Sequence, residues 1–239
     1  MVTRLKKITA RLKVLQYHDR SRFLAVAIGL SKHNEGFAWD RYRQYLKTLS
    51  SYPLDILVAI SSVGGIAGER ECFAIPPTIW SSANGTSPSL ERHVELVSEW
   101  ASSIPDTLRL GLSLEMGVTS YVLANRSTHR RDAPFAPCLQ SSLDSYEQVC
   151  HPGARVWRLD RIDTNIGSRG SWTFFFDNAH SVVAKAERAM ANVRREKFCW
   201  LLFDVHLSDL SGKCIPLFHR ERKLAEHLSS VVGESQHDE

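Results

Sequence analysis

Apolar residues in this chain alternate between short continuous runs and helically spaced sets. RFLAVAIGL (22–30) is a short, nearly continuous apolar run, as expected of a strand buried in a parallel sheet; LDILVAIS (54–61) reads as a second buried strand and LRLGLSLEM (108–116) as a third. Between them Ala38, Trp39, Tyr42, Tyr45, Leu46 and Leu49, and later Leu90, Val94, Val97 and Ala101, recur at helical spacing, with Pro88 placed as a first-turn proline. The pattern also predicts an amphipathic helix over 2–16, a helix over 178–194, a strand over 199–205 and a final helix over 216–231. Strands alternating with helices imply parallel βαβ units: four buried parallel strands, each followed by a helix. Residues 121–176 break that rhythm with turn-rich, basic and short β-like stretches, which reads as a small α+β insertion in the third crossover. The pattern by itself leaves open a doubly wound sheet or part of a barrel. No GxGxxG or GxxxxGK[ST] loop follows any strand, so a nucleotide-binding sheet has little support.

Length and composition fit one domain spanning 1–239, with 43% hydrophobic and 23% charged residues. The net charge of +4 is uneven: Arg4, Lys6, Lys7, Arg11 and Lys13 cluster without an acid, and Arg126, His129, Arg130 and Arg131 form a second group. No aromatic interleaving or nucleic-acid motif accompanies them, so they read as solvated faces and no nucleic-acid partner is expected. There is no apolar run long enough for a membrane span. The N-terminal stretch has scattered charges and no apolar h-region, so it does not read as a signal peptide; a mitochondrial presequence would share its composition. Five cysteines (72, 138, 150, 199, 214) without a CxxC pair argue against a zinc ribbon or a thioredoxin-type site. Asp204, His206 and Asp209 invite a metal reading, but no second His or Cys joins them at ligand spacing, and neither metal nor cofactor is expected. Ser61-Ser62 lacks the G-x-S-x-G elbow of a serine hydrolase. Glu115 closes a buried strand and is the one acid placed to reach a barrel mouth. It is read as a substrate contact; an acid there is more often ion-paired than catalytic. Asn84-Gly-Thr and Asn125-Arg-Ser are glycosylation sequons in expected loops.

Residues 172–214, WTFFFDNAHSVVAKAERAMANVRREKFCWLLFDVHLSDLSGKC, read strand, helix, strand and a loop ending in Cys. Upstream stand RFLAVAIGLSKHNEGFAWDRYRQYLKTLSSYPLDILVAI, then the stretch from PTIW to MGVTSYVLA, then CLQSSLDSYEQVC. In this order the four pieces resemble the second half of the family 18 chitinase barrel and of its inactive chitinase-like relatives. The resemblance implies strands five to eight of a (βα)8 TIM barrel, with the α+β insertion between the seventh strand and its helix. It makes the basic N-terminal helix a barrel helix whose strand lies upstream. Such a half would leave two open sheet edges and uncovered apolar strand faces, to be completed by a missing N-terminal half or a partner.

Departures from the family pattern bear on activity. Family 18 hydrolysis is substrate-assisted and needs a Glu that closes a DxxDxDxE motif; no such motif occurs here. The sixth strand's Met-x-Tyr-Asp is matched by Ile60-Ser61-Ser62-Val63, and the seventh strand's Tyr-Gly-Arg by Met116-Gly117-Val118. Phe203 matches the floor Trp that stacks on the sugar. Hydrolysis by this chain is therefore not expected, because binding alone does not replace a proton donor. The resemblance instead implies a secreted relative that binds chitin or another N-acetylglucosamine-containing glycan, with Phe203 and Trp80 as stacking surface. The alternatives are a chitin hydrolase whose acid lies upstream and a protein-interaction barrel that has lost its sugar site. It also implies a Cys150–Cys214 bridge, and adjacent loops on one barrel face bring Cys72 and Cys138 within reach of each other. Both pairs would need an oxidising compartment.

Overall fold

The computed structural model describes residues 2–17, 23–29, 37–62, 72–81, 89–101, 104–125, 133–159, 162–193 and 198–208. The elements run α1 (Val2–Tyr17), β1 (Ala25–Gly29), α2 (Phe37–Leu49), β2 (Ile56–Ile60), β3 (Cys72–Phe73), α3 (Leu90–Ala101), β4 (Arg109–Glu115), β5 (Val118–Leu123), β6 (Pro137–Asp144), α4 (Glu147–Cys150), β7 (Arg155–Leu159), β8 (Thr164–Arg169), β9 (Trp172–Phe176), α5 (Ala179–Met190) and β10 (Phe198–Phe203). A single 3-10 turn, Val205–Leu207, follows β10. The helix expected over 216–231 lies outside the described residues. The chain divides into two compact units, the first of residues 1–61, 81–113 and 189–201, the second of 62–80, 114–188 and 202–239.

The first unit is built around a sheet of order β1-β2-β4-β10, in which β1 pairs parallel with β2 and β2 with β4. The apolar runs place their residues as a central parallel strand should: Leu57, Val58 and Ala59 of β2 and Leu110 and Leu112 of β4 are buried. The outer strands differ from the expectation of four buried strands. β1 alternates exposed and half-buried residues, and β10 is half-buried along most of its length. Both are sheet edges among the described residues, so an apolar run lacks a cover on one side; this is the open-edge arrangement a partial barrel would leave. Tyr42, Leu46 and Leu49 of α2 are buried, and the Tyr42 hydroxyl donates to the Ile28 carbonyl of β1 at 2.8 Å. His93 of α3 is buried edge-on to the rings of Trp39 and Tyr42, 5.0 and 5.5 Å between centroids. Its Nδ1 hydrogen-bonds the Ser89 carbonyl at 2.7 Å, while Nε2 has no partner among the described residues.

The second unit carries a six-stranded antiparallel sheet of order β3-β6-β5-β9-β8-β7. Its strands lie between Val118 and Phe176, with β3 added from the segment that follows β2. Its core is aromatic: Phe174, Phe175 and Phe176 of β9 are all buried, with Tyr121, Ile166 and Tyr146. Gly167 on β8 lies under Phe174, where a Cβ would come within 2.1 Å of the ring. The space is needed to seat the phenyl group. Cys72 and Cys138, register partners at the β3–β6 edge, are joined by a disulfide. Cys150 is also disulfide-bonded, and Cys214, the partner the resemblance implies, lies outside the described residues. Cys199 is a free thiol that burial pushes up to about 11, an unreactive state.

Candidate functional site at the strand ends

Parallel α/β sheets present their functional groups at the carboxyl ends of the strands. In the second unit, the end of β4 and the turn after β10 bring Glu115 and Asp204 together. Glu115 is the last residue of β4 and is fully buried. Its own N–H donates to the Thr78 hydroxyl at 3.0 Å, and its Oε1 accepts the Gly117 N–H at 2.9 Å. A side chain at 117 would press on Glu115 Oε1 and on Leu143 and Leu207, so glycine leaves room for that bond. Asp204 takes a left-handed backbone, φ 51°, at the step from β10 into the 3-10 turn. An aspartate tolerates that conformation better than most residues. The turn is pinned by the Met116 N–H to the Phe203 carbonyl and the Tyr146 N–H to the Leu207 carbonyl, both 3.0 Å.

Glu115 makes no ion pair among the described residues. Its charged neighbour is another carboxylate. Burial pushes the Glu115 acid up to about 7; the Gly117 N–H opposes this, while the charge of Asp204 and a hydrogen bond between the two acids reinforce it. Glu115 Oε2 has no donor among the described residues. Two acceptor-only carboxylates satisfy each other only when a proton lies between them.

A second polar group lies nearby in the same unit, and the sequence reading did not find it. Asp177 at the end of β9 and Lys185 on α5 form a fully buried ion pair at 2.5 Å. Lys185 Nζ also donates to the Thr78 carbonyl, and the Ser181 hydroxyl donates to Asp177 Oδ1 at 2.9 Å. Burial drives the Asp177 acid up and the Lys185 amine down, and each partner's charge opposes the shift. Ser181 and Lys185 share one face of α5 at i and i+4, and Asp177 stands two residues before the helix at the same four-residue spacing, which was the available signal. Thr78 thus serves both groups, through its hydroxyl to Glu115 and its carbonyl to Lys185.

Phe203 is half-buried at the end of β10. Trp80 is only 6% exposed, and the Arg188 guanidinium sits over its ring, 4.2 Å from the centroid. In the first unit, Ser61 is buried and exchanges hydrogen bonds with Ser113: its Oγ donates to the Ser113 carbonyl at 2.7 Å, and its N–H donates to the Ser113 hydroxyl at 2.9 Å. A serine so engaged is a strand-to-strand tie and not a nucleophile. His206 Nδ1 lies 4.0 Å from Asp204 Oδ1, but no group of three metal-ligating side chains occurs among the described residues, and Asp209 falls outside them. Asn125 is exposed just after β5, and Asn84 lies outside the described residues. No described helix is long and apolar enough to cross a membrane.

No family model matches the chain, and no curated protein matches it by sequence. Solved structures do. The Group IV chitinase of Ostrinia furnacalis superposes with a TM-score of 0.66 at 17% identity, over 96% of this chain and 62% of its own. The family GH18 chitinase of Cycas revoluta in complex with (GlcNAc)3 gives 0.59 at 16% identity, over 90% and 61%. The chitinase-like agglutinin of Robinia pseudoacacia gives 0.59 at 17%, over 90% and 60%. The chain therefore spans about three-fifths of the length of these structures, and over that length it has the fold of the family 18 chitinases.

Proposed function

We propose that this chain is a divergent chitinase-like protein that binds chitin or another N-acetylglucosamine-containing glycan without cleaving it. The observation that carries the reading is the strand-end geometry on this fold: a half-buried Phe203 beside Asp204 at the carboxyl end of β10. Among the structural neighbours are a chitinase holding an N-acetylglucosamine trisaccharide and an agglutinin, so the fold serves ligand-bound enzymes and lectin-like proteins alike. The positions that would hold a substrate acetamide carry Ser62 and Val63 in place of the family's Tyr and Asp. These 239 residues contain no DxxDxDxE acid. Trp80 would add stacking surface only if Arg188 moved off its ring. The Cys72–Cys138 bridge supports an oxidising, extracellular setting.

Retention on chitin beads, with elution by N-acetylchitotetraose, tests the reading. Phe203→Ala removes the aromatic platform and should sharply weaken retention. Flow-through of the unmodified protein would refute glycan binding and favour a protein-interaction role. Release of reducing ends from the tetramer would refute the non-catalytic assignment.

A further inference from the structure

The pairing of a fully buried acid with a partly exposed one calls for a division of labour. Asp204 has about a third of its side chain open, at 32%, whereas Glu115 behind it has none. The groups that face Glu115 come from three places. From its own strand end and the following turn come the N–H groups of Met116 and Gly117; from the 74–80 segment comes Thr78, whose hydroxyl is taken up by the Glu115 N–H; from the β10 turn comes Asp204. None of these is a cation. Lys185 is occupied by Asp177 and the Thr78 carbonyl, and His206 stands 4.0 Å from Asp204 rather than against Glu115. The buried Oε2 is left with no donor among the described residues. An unpaired buried carboxylate is costly, and a protonated one becomes a donor to its neighbour.

We propose that Glu115 is a positioning residue for ligand binding: in its protonated form it donates to Asp204 and holds that carboxylate as an acceptor for the hydroxyl or amide N–H groups of a neutral glycan. When the proton leaves, two adjacent anions repel, Asp204 swings away, and the ligand loses its acceptor. The energetic source is the same burial that drives Glu115 up to about 7, so the transition falls near neutrality. The ligand class rests on the glycan-binding reading above; the shared proton does not.

Two measurements separate them. First, ¹³C-carboxyl NMR of the full chain follows Glu115 between about pH 4 and pH 9, in the unsubstituted protein and in Asp204→Asn. Glu115 should titrate near neutral pH, and in Asp204→Asn its midpoint should fall. A Glu115 carboxyl already ionised at about pH 5, or a midpoint indifferent to Asp204→Asn, overturns the proposal. Second, N-acetylchitotetraose affinity is compared at about pH 5 and about pH 9. The unsubstituted chain should weaken by about tenfold or more at the higher pH. Glu115→Gln, whose amide donates at every pH, should bind at both; Glu115→Ala should bind weakly at both. If Glu115→Gln keeps the pH dependence of the unsubstituted chain, the proposal is overturned. If nothing binds the tetramer at either pH, the glycan reading fails, and the NMR titration alone decides whether the proton is shared.

Discussion

Replacing Lys185 with methionine should be among the most damaging single changes in the second unit. The side chain has no exposed surface, and its amine contacts Asp177 Oδ1 and the Thr78 carbonyl, both buried. Methionine fills a similar volume, so packing loss is small and the effect isolates charge and hydrogen bonding. What remains is Asp177, 1% exposed, with one oxygen held only by the Ser181 hydroxyl and the other with no partner among the described residues. Stranding one member of a buried pair costs about 3–5 kcal/mol. With a urea m-value of about 2 kcal/mol/M, a loss of about 4 kcal/mol lowers the unfolding midpoint by about 2 M. Asp177 has an escape, which is to take up a proton; burial already pushes it that way, and Lys185→Met removes the cation that opposes it. Its folded-state acid then lies further above the unfolded one, so the variant should regain stability as pH falls and lose it as pH rises. Asp177→Asn combined with Lys185→Met removes the stranded charge and should recover much of the loss. Equilibrium urea unfolding at neutral and at mildly acidic pH reads all of this. A Lys185→Met cost below about 1 kcal/mol, or a double variant that costs the sum of the two singles, would refute the assignment of a tightly coupled buried pair.

His93 predicts an acid-side effect. Burial holds it neutral down to about 4, whereas the unfolded chain protonates near 6.5, so its contribution is intact above about pH 6.5 and declines as pH falls toward 4. The decline is about 3 kcal/mol, and His93→Phe should reduce it in thermal melts run at the two ends of that window. Replacing both Cys72 and Cys138 with serine opens a loop of sequence separation 66 and should cost about 4 kcal/mol; a midpoint unchanged from the unsubstituted protein in urea would show that the bridge constrains nothing.

The strands and helices were legible because each carries its own periodicity. The β2 run is apolar on both faces, whereas β4 alternates Leu110, Leu112 and Leu114 with Gly111, Ser113 and Glu115; both fill the central positions of the sheet. β1 has the same kind of run but sits at an edge, and nothing local in AVAIG distinguishes a strand with two neighbours from one with a single neighbour. β3 has only two residues and runs into Pro76 and Pro77, too short for any period to register. Glu115 could be singled out as a strand-end acid, but its partner could not. Asp204 is distant in sequence, and only the pairing of β4 with β10 brings the two together. The four-residue spacing of Asp177, Ser181 and Lys185 was written in the sequence, yet burial turns it into a core ion pair, and burial is set by the tertiary fold.

The Cys72–Cys138 bridge also governs how damage to this protein would be seen. Every peptide bond between those two residues lies inside a covalent ring, so a protease that nicks any of them leaves a molecule of undiminished mass. Without reductant such a sample would run as intact protein on a gel and still present the β3–β6 edge; with reductant it would fall into two pieces. Homogeneity of any preparation used for binding is therefore established only by comparing the two conditions.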